Sequence, residues 1–480
     1  MTLILIVLIP LVTALLCCIP LLRRAAWTIT TVSTCLTFLL AILTAAEVLA
    51  SGRVIGLAGW AEADGLSALV LTIVSFVSAL ACIFSGGYMR RDTHGKGRLW
   101  WFYCNYNLFA FSLLVVPSVV EPNLVWVGVE LITLFGVLLV GFDKTTGAME
   151  AAWKFAILTM MGAPIALFGF FVLFLAYRSA GGGWETWQGL QTRAAAMNPD
   201  MLKLSFLLVF VGFGAKTGLA PMHTWLPDAH SQAPSPVCAV LSGVKTTVPL
   251  YVILRLLSII LASPAARIGG WMIGLGLVSV SIAAFLLFQV RDYKRMFAYS
   301  TIEHMGIILA AAGIATQASD FGAVSQMLNH AITKSLCFYV AGIILLALGT
   351  RQIESVRGLF RVSPFAGSAL LFCTLAIAGA PPFPIFLSEY SILNAGVRAG
   401  QHTVVAILSS LIVIAFIAIL GHVNRMILGK PVAPCKLALP LSCRLAVILA
   451  SAPVILLGVY IPGPIHSLLQ LAARQLGGNG

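Results

Sequence analysis

Apolar runs long enough to cross a bilayer recur along the whole chain, and nothing else in the sequence constrains it as strongly. A hydrocarbon core of about 30 Å needs roughly 20 apolar residues in helical form. Backbone groups in lipid find no water, so each run must satisfy its own hydrogen bonds as a helix. The runs lack the alternation of barrel strands. Of the 480 residues, 60% are hydrophobic and only 9% charged, too few charges to cover a soluble surface. The reading is an all-α membrane protein, a single polytopic domain over 1–480. Fourteen spans are expected at 2–21, 27–50, 66–88, 100–120, 123–142, 152–177, 203–226, 235–261, 268–290, 297–315, 323–349, 364–397, 402–427 and 443–461. Residues 465–480 read as a short surface tail.

Loop charges fix an orientation for this count. With both termini outside, the inner loops carry Arg23, Arg24, Arg90, Arg91, Lys96, Arg98, Lys144, Arg291, Lys294, Arg295, Arg351, Arg357, Arg361, Arg425, Lys430 and Lys436. The outer segments carry only Arg53, Arg178, Arg193, Lys203, Arg267, Arg398 and Arg474. That asymmetry has the sign of the positive-inside rule for a bacterial inner membrane. It also explains the net charge of +13, so nucleic acid is not an expected partner. The first run has no basic segment before it and reads as a retained helix. The outer loop 179–202 is the longest, and its Gly181-Gly182-Gly183 run reads as flexible.

Two spans contain helix breakers: Lys216-Thr217-Gly218-Leu219-Ala220-Pro221 and Gly379-Ala380-Pro381-Pro382-Phe383-Pro384. Such breaks are tolerated in a membrane only where protein or a wet cavity satisfies the freed backbone groups. Paired broken helices point to repeats of inverted topology.

The spans also hold ionisable residues. A charge at the centre of the bilayer costs about 2.5–3.5 kcal/mol on insertion scales. Glu130 is the sole charge in Pro122–Phe142, and Glu150 and Lys154 open the next span. Lys216 and Lys245 lie in the seventh and eighth spans, and Glu303 and His304 in the tenth. His330 and Lys334, four apart, share one helical face of the eleventh. Glu389 is the sole charge between Arg361 and Arg398. Ion pairs that merely orient helices are the plain reading of any one of them. Apolar packing would fill that role at lower cost, so the set as a whole reads as a proton relay.

Other chemistry has little support. The ten cysteines contain no C-x-x-C spacing, and most sit in apolar runs. Met222–His230 holds two histidines but no third ligand, and reads as a polar connection closing a broken helix. Gly95-Lys96-Gly97 is not a phosphate loop.

Four stretches make the chain recognisable. Gly214-Ala215-Lys216-Thr217-Gly218-Leu219-Ala220-Pro221-Met222-His223-Thr224-Trp225-Leu226-Pro227-Asp228-Ala229-His230 resembles the seventh-helix signature of the antiporter-like subunits of respiratory complex I. Ala233–Val237, Leu241–Thr246 and Asp292–Gly306 fit the same pattern. Ile302-Glu303-His304-Met305-Gly306 is most similar to the F-type membrane subunit of hydrogenase-4 and formate hydrogenlyase. The resemblance spans roughly 60–460.

It implies two inverted five-helix repeats, spans four to eight and nine to thirteen, within a proton-translocating core at about 100–428. It implies a Glu130–Lys154 pair, central lysines at Lys216 and Lys245, an eleventh-helix motif at His330 and Lys334, and an exit residue at Glu389. Pro249, so near Lys245, departs from the pattern and could change that lysine's depth. No long lateral helix follows the fourteenth span, which disfavours the longest subunit type. The expected function is coupling of electron transfer in partner subunits to proton movement. A charge change next door would alter the Glu130–Lys154 pair and then the proton affinity of Lys216. The proton would pass by Lys245 and His304, His330 or Lys334 to Glu389. No cofactor is expected on this chain; redox cofactors belong to a peripheral partner module beside other membrane subunits. The alternatives are a subunit of a multi-subunit Na⁺/H⁺ antiporter and a membrane anchor of an inorganic-carbon uptake complex.

Overall fold

Runs of this length and polarity become helices that cross from end to end of one bundle. The computed structural model describes residues 1–91, 98–263, 268–431 and 439–477. Lys96, Arg267 and Lys436 of the loop charges, and the Gly95-Lys96-Gly97 segment, lie outside the described residues. The passages follow the chain in order: α1 (Thr2–Cys18), α2 (Ala26–Ser51), α3 (Gly65–Arg91), α4 (Leu99–Val115), α5 (Pro122–Val140) and α6 (Thr146–Ser179). A small hairpin, β1 (Val54–Gly56) with β2 (Ala61–Ala63), separates α2 from α3. Next come a short helix α7 (Trp187–Arg193) and a broken passage, α8 (Pro199–Thr217) with α9 (Trp225–Gln232). The eighth passage joins α10 (Ser235–Val240) to α11 (Thr247–Leu261) through a π-helical turn at Leu241–Lys245. Then follow α12 (Gly269–Gln289), α13 (Tyr293–Ile314), α14 (Gln317–Leu348) and a short α15 (Leu359–Val362). A second broken passage, α16 (Pro364–Ile377) with α17 (Pro384–Arg398), precedes α18 (His402–Ile427) and α19 (Leu441–Val459). Eleven described helical stretches are long and apolar enough to cross a membrane unaided. With α1 and the two broken passages this makes the fourteen expected.

Local chemistry sets where helices begin. The side chains of Thr145, Asn198, Asp292 and Ser363 accept from backbone N–H groups in the first turns of α6, α8, α13 and α16. Thr316 and Ser319 form a reciprocal capping box at α14. Both breaks fall at a glycine with positive φ, Gly218 at +87° and Gly379 at +75°. Five passages form an odd-numbered unit, so two consecutive units must enter from opposite sides. Passages four to eight and nine to thirteen are such units, each broken at its fourth member.

Helices in lipid gain little from the hydrophobic effect and approach through small residues. A Cβ on Gly212 would stand 2.4 Å from the Gly162 carbonyl, one turn before Lys216. A Cβ on Gly276 would stand 2.7 Å from the Gly306 carbonyl, two residues after His304. These contacts bring α8 onto α6 and α13 onto α12 beside the buried charges.

Two expectations need correction. The 179–202 loop is not a loose connection. Trp184 packs on Trp60 with ring centroids 4.9 Å apart, Trp187 donates to the Val119 carbonyl, and Arg53 donates to Gln188 at 2.5 Å. Its aromatic side chains pin it across the hairpin. The segment after 461 is not a plain tail either. Gly463–Leu476 forms an amphipathic helix, α20, which buries Leu468, Leu469 and Leu476. Its Gln475 accepts from the Leu66 backbone N–H at 2.8 Å.

Candidate functional site

The break after Thr217 leaves helix-end carbonyls without intrahelical partners. Trp225 donates its ring N–H to the Ala215 carbonyl at 2.9 Å. Lys245 donates to the Lys216 carbonyl at 2.8 Å, with its ammonium 3.7 Å from the Trp225 ring centroid and 4.7 Å from that of Phe155. Two aromatic faces and one backbone oxygen thus hold a fully buried lysine that, among the described residues, has no carboxylate in ion-pair contact. Pro249 lies in the first turn of α11, just after the π turn. Its missing N–H is the one that would have met the Lys245 carbonyl in a regular helix.

Lys216 is buried and donates to Glu130 Oε2 at 3.1 Å and to Thr133 at 2.7 Å. The Glu130–Lys154 pair expected from the sequence does not form. Lys154 sits 3.0 Å from Asp228 and 2.7 Å from Glu150, with its side chain 38% exposed. A long lysine near a helix start reaches the polar surface more easily than it enters the bundle. There Asp228 draws in both Lys154 and Arg295, the latter at 2.5 Å. That places Lys154 at the rim and leaves Glu130 to Lys216.

The π turn leads onward. Ser242 lies one turn before Lys245, and its carbonyl accepts from Thr246 at 2.9 Å and lies 3.2 Å from His330 Nε2. Its hydroxyl pairs with Thr301 at 2.7 Å. The His330 and His304 rings have centroids 5.3 Å apart. His304 Nδ1 lies 2.9 Å from the Gln326 amide and 3.9 Å from Glu389 Oε1, and its Nε2 lies 3.1 Å from the Ile377 carbonyl at the second break. Glu389 is 5% exposed, and its carboxylate lies against Gly379, where a Cβ would stand 2.5 Å from Oε2. Ser388 donates to Gln326 and accepts from Asn329. Lys334, on the His330 face of α14, donates to the Phe297 carbonyl at 2.6 Å and to Ser300. Of the expected residues, Glu130, Lys216 and Lys245 therefore form one group and His330, His304 and Glu389 another, joined by Ser242 between Lys245 and His330. Lys334 branches from the line, and Lys154 stands at its edge.

Sequence reasoning passed over Thr133, Ser242, Gln326 and Asp228. Thr133 follows Glu130 by three residues and Gln326 precedes His330 by four, so helical spacing put both on the right faces. It also passed over a half-buried pair at the far end, Arg255 of α11 with Asp64, which no local pattern announces. Among the described residues no cluster of three or more His, Cys, Asp or Glu could hold a metal.

The model of the family described as NADH:quinone oxidoreductase/Mrp antiporter, transmembrane, matches residues 123–415. The chain belongs to this family. A second model, described as NADH-ubiquinone oxidoreductase (complex I), chain 5 N-terminus, matches residues 61–97. The chain is 34% identical to a hydrogenase-4 component F homolog of Methylacidiphilum infernorum, over 83% of this chain and 85% of that one. It is 30% identical to hydrogenase-4 component B of Escherichia coli over 68% of its length, but spans only 49% of that protein. Among solved structures, the Mrp complex from Dietzia sp. matches with a TM-score of 0.88 at 19% identity, covering 99% of this chain and 97% of that one. Respiratory complex I from Thermus thermophilus matches at 0.83 and 21%, covering 99% and 100%. The two solved structures share the fold of this chain.

Away from the bundle, Glu185 is 3% exposed in the loop before α7. Burial, and after it the nearby Glu121 carboxylate, push its pKa up from 4.5 to about 7. The Asn123 amide bridges the two acids at 3.0 and 3.3 Å. The folded chain holds this proton more tightly than the unfolded chain. Its stabilising effect is therefore complete below pH 4.5 and lost as pH rises through about 7. At pH 8 a Glu185→Gln protein should hold this loop roughly 2–3 kcal/mol more firmly than wild type. Proteolytic cleavage within 180–198 should then slow at pH 8 and lose its dependence on pH; an unaltered pH profile would refute the assignment.

Proposed function

We propose that this chain is the proton-translocating membrane subunit of a redox-driven complex of the hydrogenase-4 or complex I kind. The observation that carries the reading is a line of ionisable groups through the bundle: Glu130 pairs with Lys216, Lys245 meets the Lys216 carbonyl, Ser242 one turn before Lys245 meets His330, the His330 and His304 rings stand 5.3 Å apart, and His304 lies 3.9 Å from Glu389. Ionisable groups gathered inside a membrane bundle are rare and mark ion pathways. The family and the hydrogenase-4 relatives support the same reading.

In this scheme a charge change in an adjoining subunit perturbs the Glu130–Lys216 pair. Lys216 then exchanges its proton with Lys245, whose carbonyl and ring contacts tolerate either protonation state. The histidines, which titrate near neutrality in water, carry the proton to Glu389. Electron transfer belongs to a peripheral module with its own cofactors, and the chain sits among other membrane subunits. The basic loops support a bacterial inner-membrane location with both termini outside.

Purification in mild detergent, with identification of the co-purifying chains, tests the assembly. A hydrophilic redox subunit is expected, and its electron donor should drive proton movement in liposomes. Sodium-dependent proton exchange by the complex with no donor present would overturn the redox-driven reading in favour of an antiporter.

A further inference from the structure

We infer that the cleft between the ends of α12 and α18, on the face bearing most arginines, binds the phosphate headgroup of an acidic phospholipid. The cleft has a volume of about 1230 Å³ and is lined by Arg291, Arg357, Arg425 and Lys430, with Glu354 as its one carboxylate. Several other cations of this face are engaged. Lys154 and Arg295 pair with Asp228, Arg351 donates to the Ser231 carbonyl, and Arg23 and Arg90 lie over the rings of Trp100 and Trp27. The side chains of the four cleft cations have no hydrogen bond, ion pair or ring partner among the described residues. Four like charges converging on one space repel unless an anion joins them. Arginine forks match phosphate oxygens, two donors at a time.

The walls decide the kind of phosphate. Phe288 and Leu428, 51% and 61% exposed, line the cleft. Beneath it, Phe285 of α12 and Val413 and Ile417 of α18 continue an exposed apolar strip along the membrane-crossing helices. His422 Nε2 lies 2.8 Å from the Leu287 carbonyl and ties the two helices together under the headgroup position. A basic pocket at span ends, opening onto an apolar gutter, fits a headgroup with acyl chains below it. Free phosphate shares the charge but has nothing to lay along the strip. A zwitterionic headgroup brings its own cation into a space that already holds four.

The test uses the complex purified in mild detergent, with native mass spectrometry counting retained phosphatidylglycerol and cardiolipin. The Arg291→Gln/Arg357→Gln/Arg425→Gln complex should lose about tenfold of its retained acidic lipid, a change a ligand-linked affinity loss of that size would produce. A matched Lys203→Gln/Arg398→Gln/Arg474→Gln control should retain the wild-type amount. Arg357→Gln alone, on a connection outside the crossing helices, should give an intermediate loss and covers the case of a triple variant that fails to assemble. Phosphatidylglycerol vesicles should raise the thermal midpoint of wild type and not that of the Arg357→Gln protein. Unchanged lipid retention would overturn the proposal. So would equal stabilisation by inorganic phosphate, which points to a free-anion site. Loss of a protein subunit with lipid retention intact would overturn it in favour of a protein interface.

Discussion

A complex carrying Lys216→Met is expected to keep its redox chemistry and lose donor-driven proton movement, by at least tenfold, to the background of empty liposomes. Methionine fills much of the lysine volume without a titratable group, so the α8 break keeps its packing. Glu130 loses its charged partner, and the Lys216 carbonyl still accepts from Lys245, because that contact is to backbone. The charge pair proposed to respond to a neighbouring subunit therefore disappears. Acidification followed with a pH-sensitive dye in proteoliposomes reads the outcome. Wild-type acidification at matched donor oxidation would exclude Lys216 from the path.

Glu389→Gln should be as severe, for a different reason. The amide preserves shape beside Gly379 and the capacity to hydrogen-bond, but it cannot release a proton. Transport should fall at least tenfold while assembly and the α17 fold are unchanged. Glu389→Asp, which keeps the carboxyl on a shorter stem, should restore a measurable part. Gly379→Ala tests the same point from the backbone side, since its Cβ would collide with the carboxylate and φ is +75° there. Full transport in Glu389→Gln would place the outlet elsewhere.

The fourteen passages were legible because crossing a membrane is a matter of length and polarity, both local properties. The breaks at Gly218 and Gly379 were legible for the same reason, since glycine and proline act where they stand. Partner choice was not. Glu130, Lys154 and Lys216 lie on three different helices, and spacing along the chain cannot say which lysine turns toward the carboxylate. Asp228 and Glu150 decide it by holding Lys154 at the rim. The π turn at Leu241–Lys245 was invisible because no residue type in 235–261 marks a change of helical pitch; the sole hint was Pro249. The segment after 461 misled for lack of a long apolar run. Its leucines become informative only once α3 and α14 are in place to receive them.

The central claim is that the buried groups act in series as one path, and the flux of a double variant tests it most directly. Proton movement per electron is measured in wild type, Lys216→Met, Glu389→Gln and the two combined. A single file predicts near-background flux in each single variant and no further loss in the double. Two independent routes would instead leave about half the flux in each single variant and abolish it only when both are changed, and that result would contradict the account.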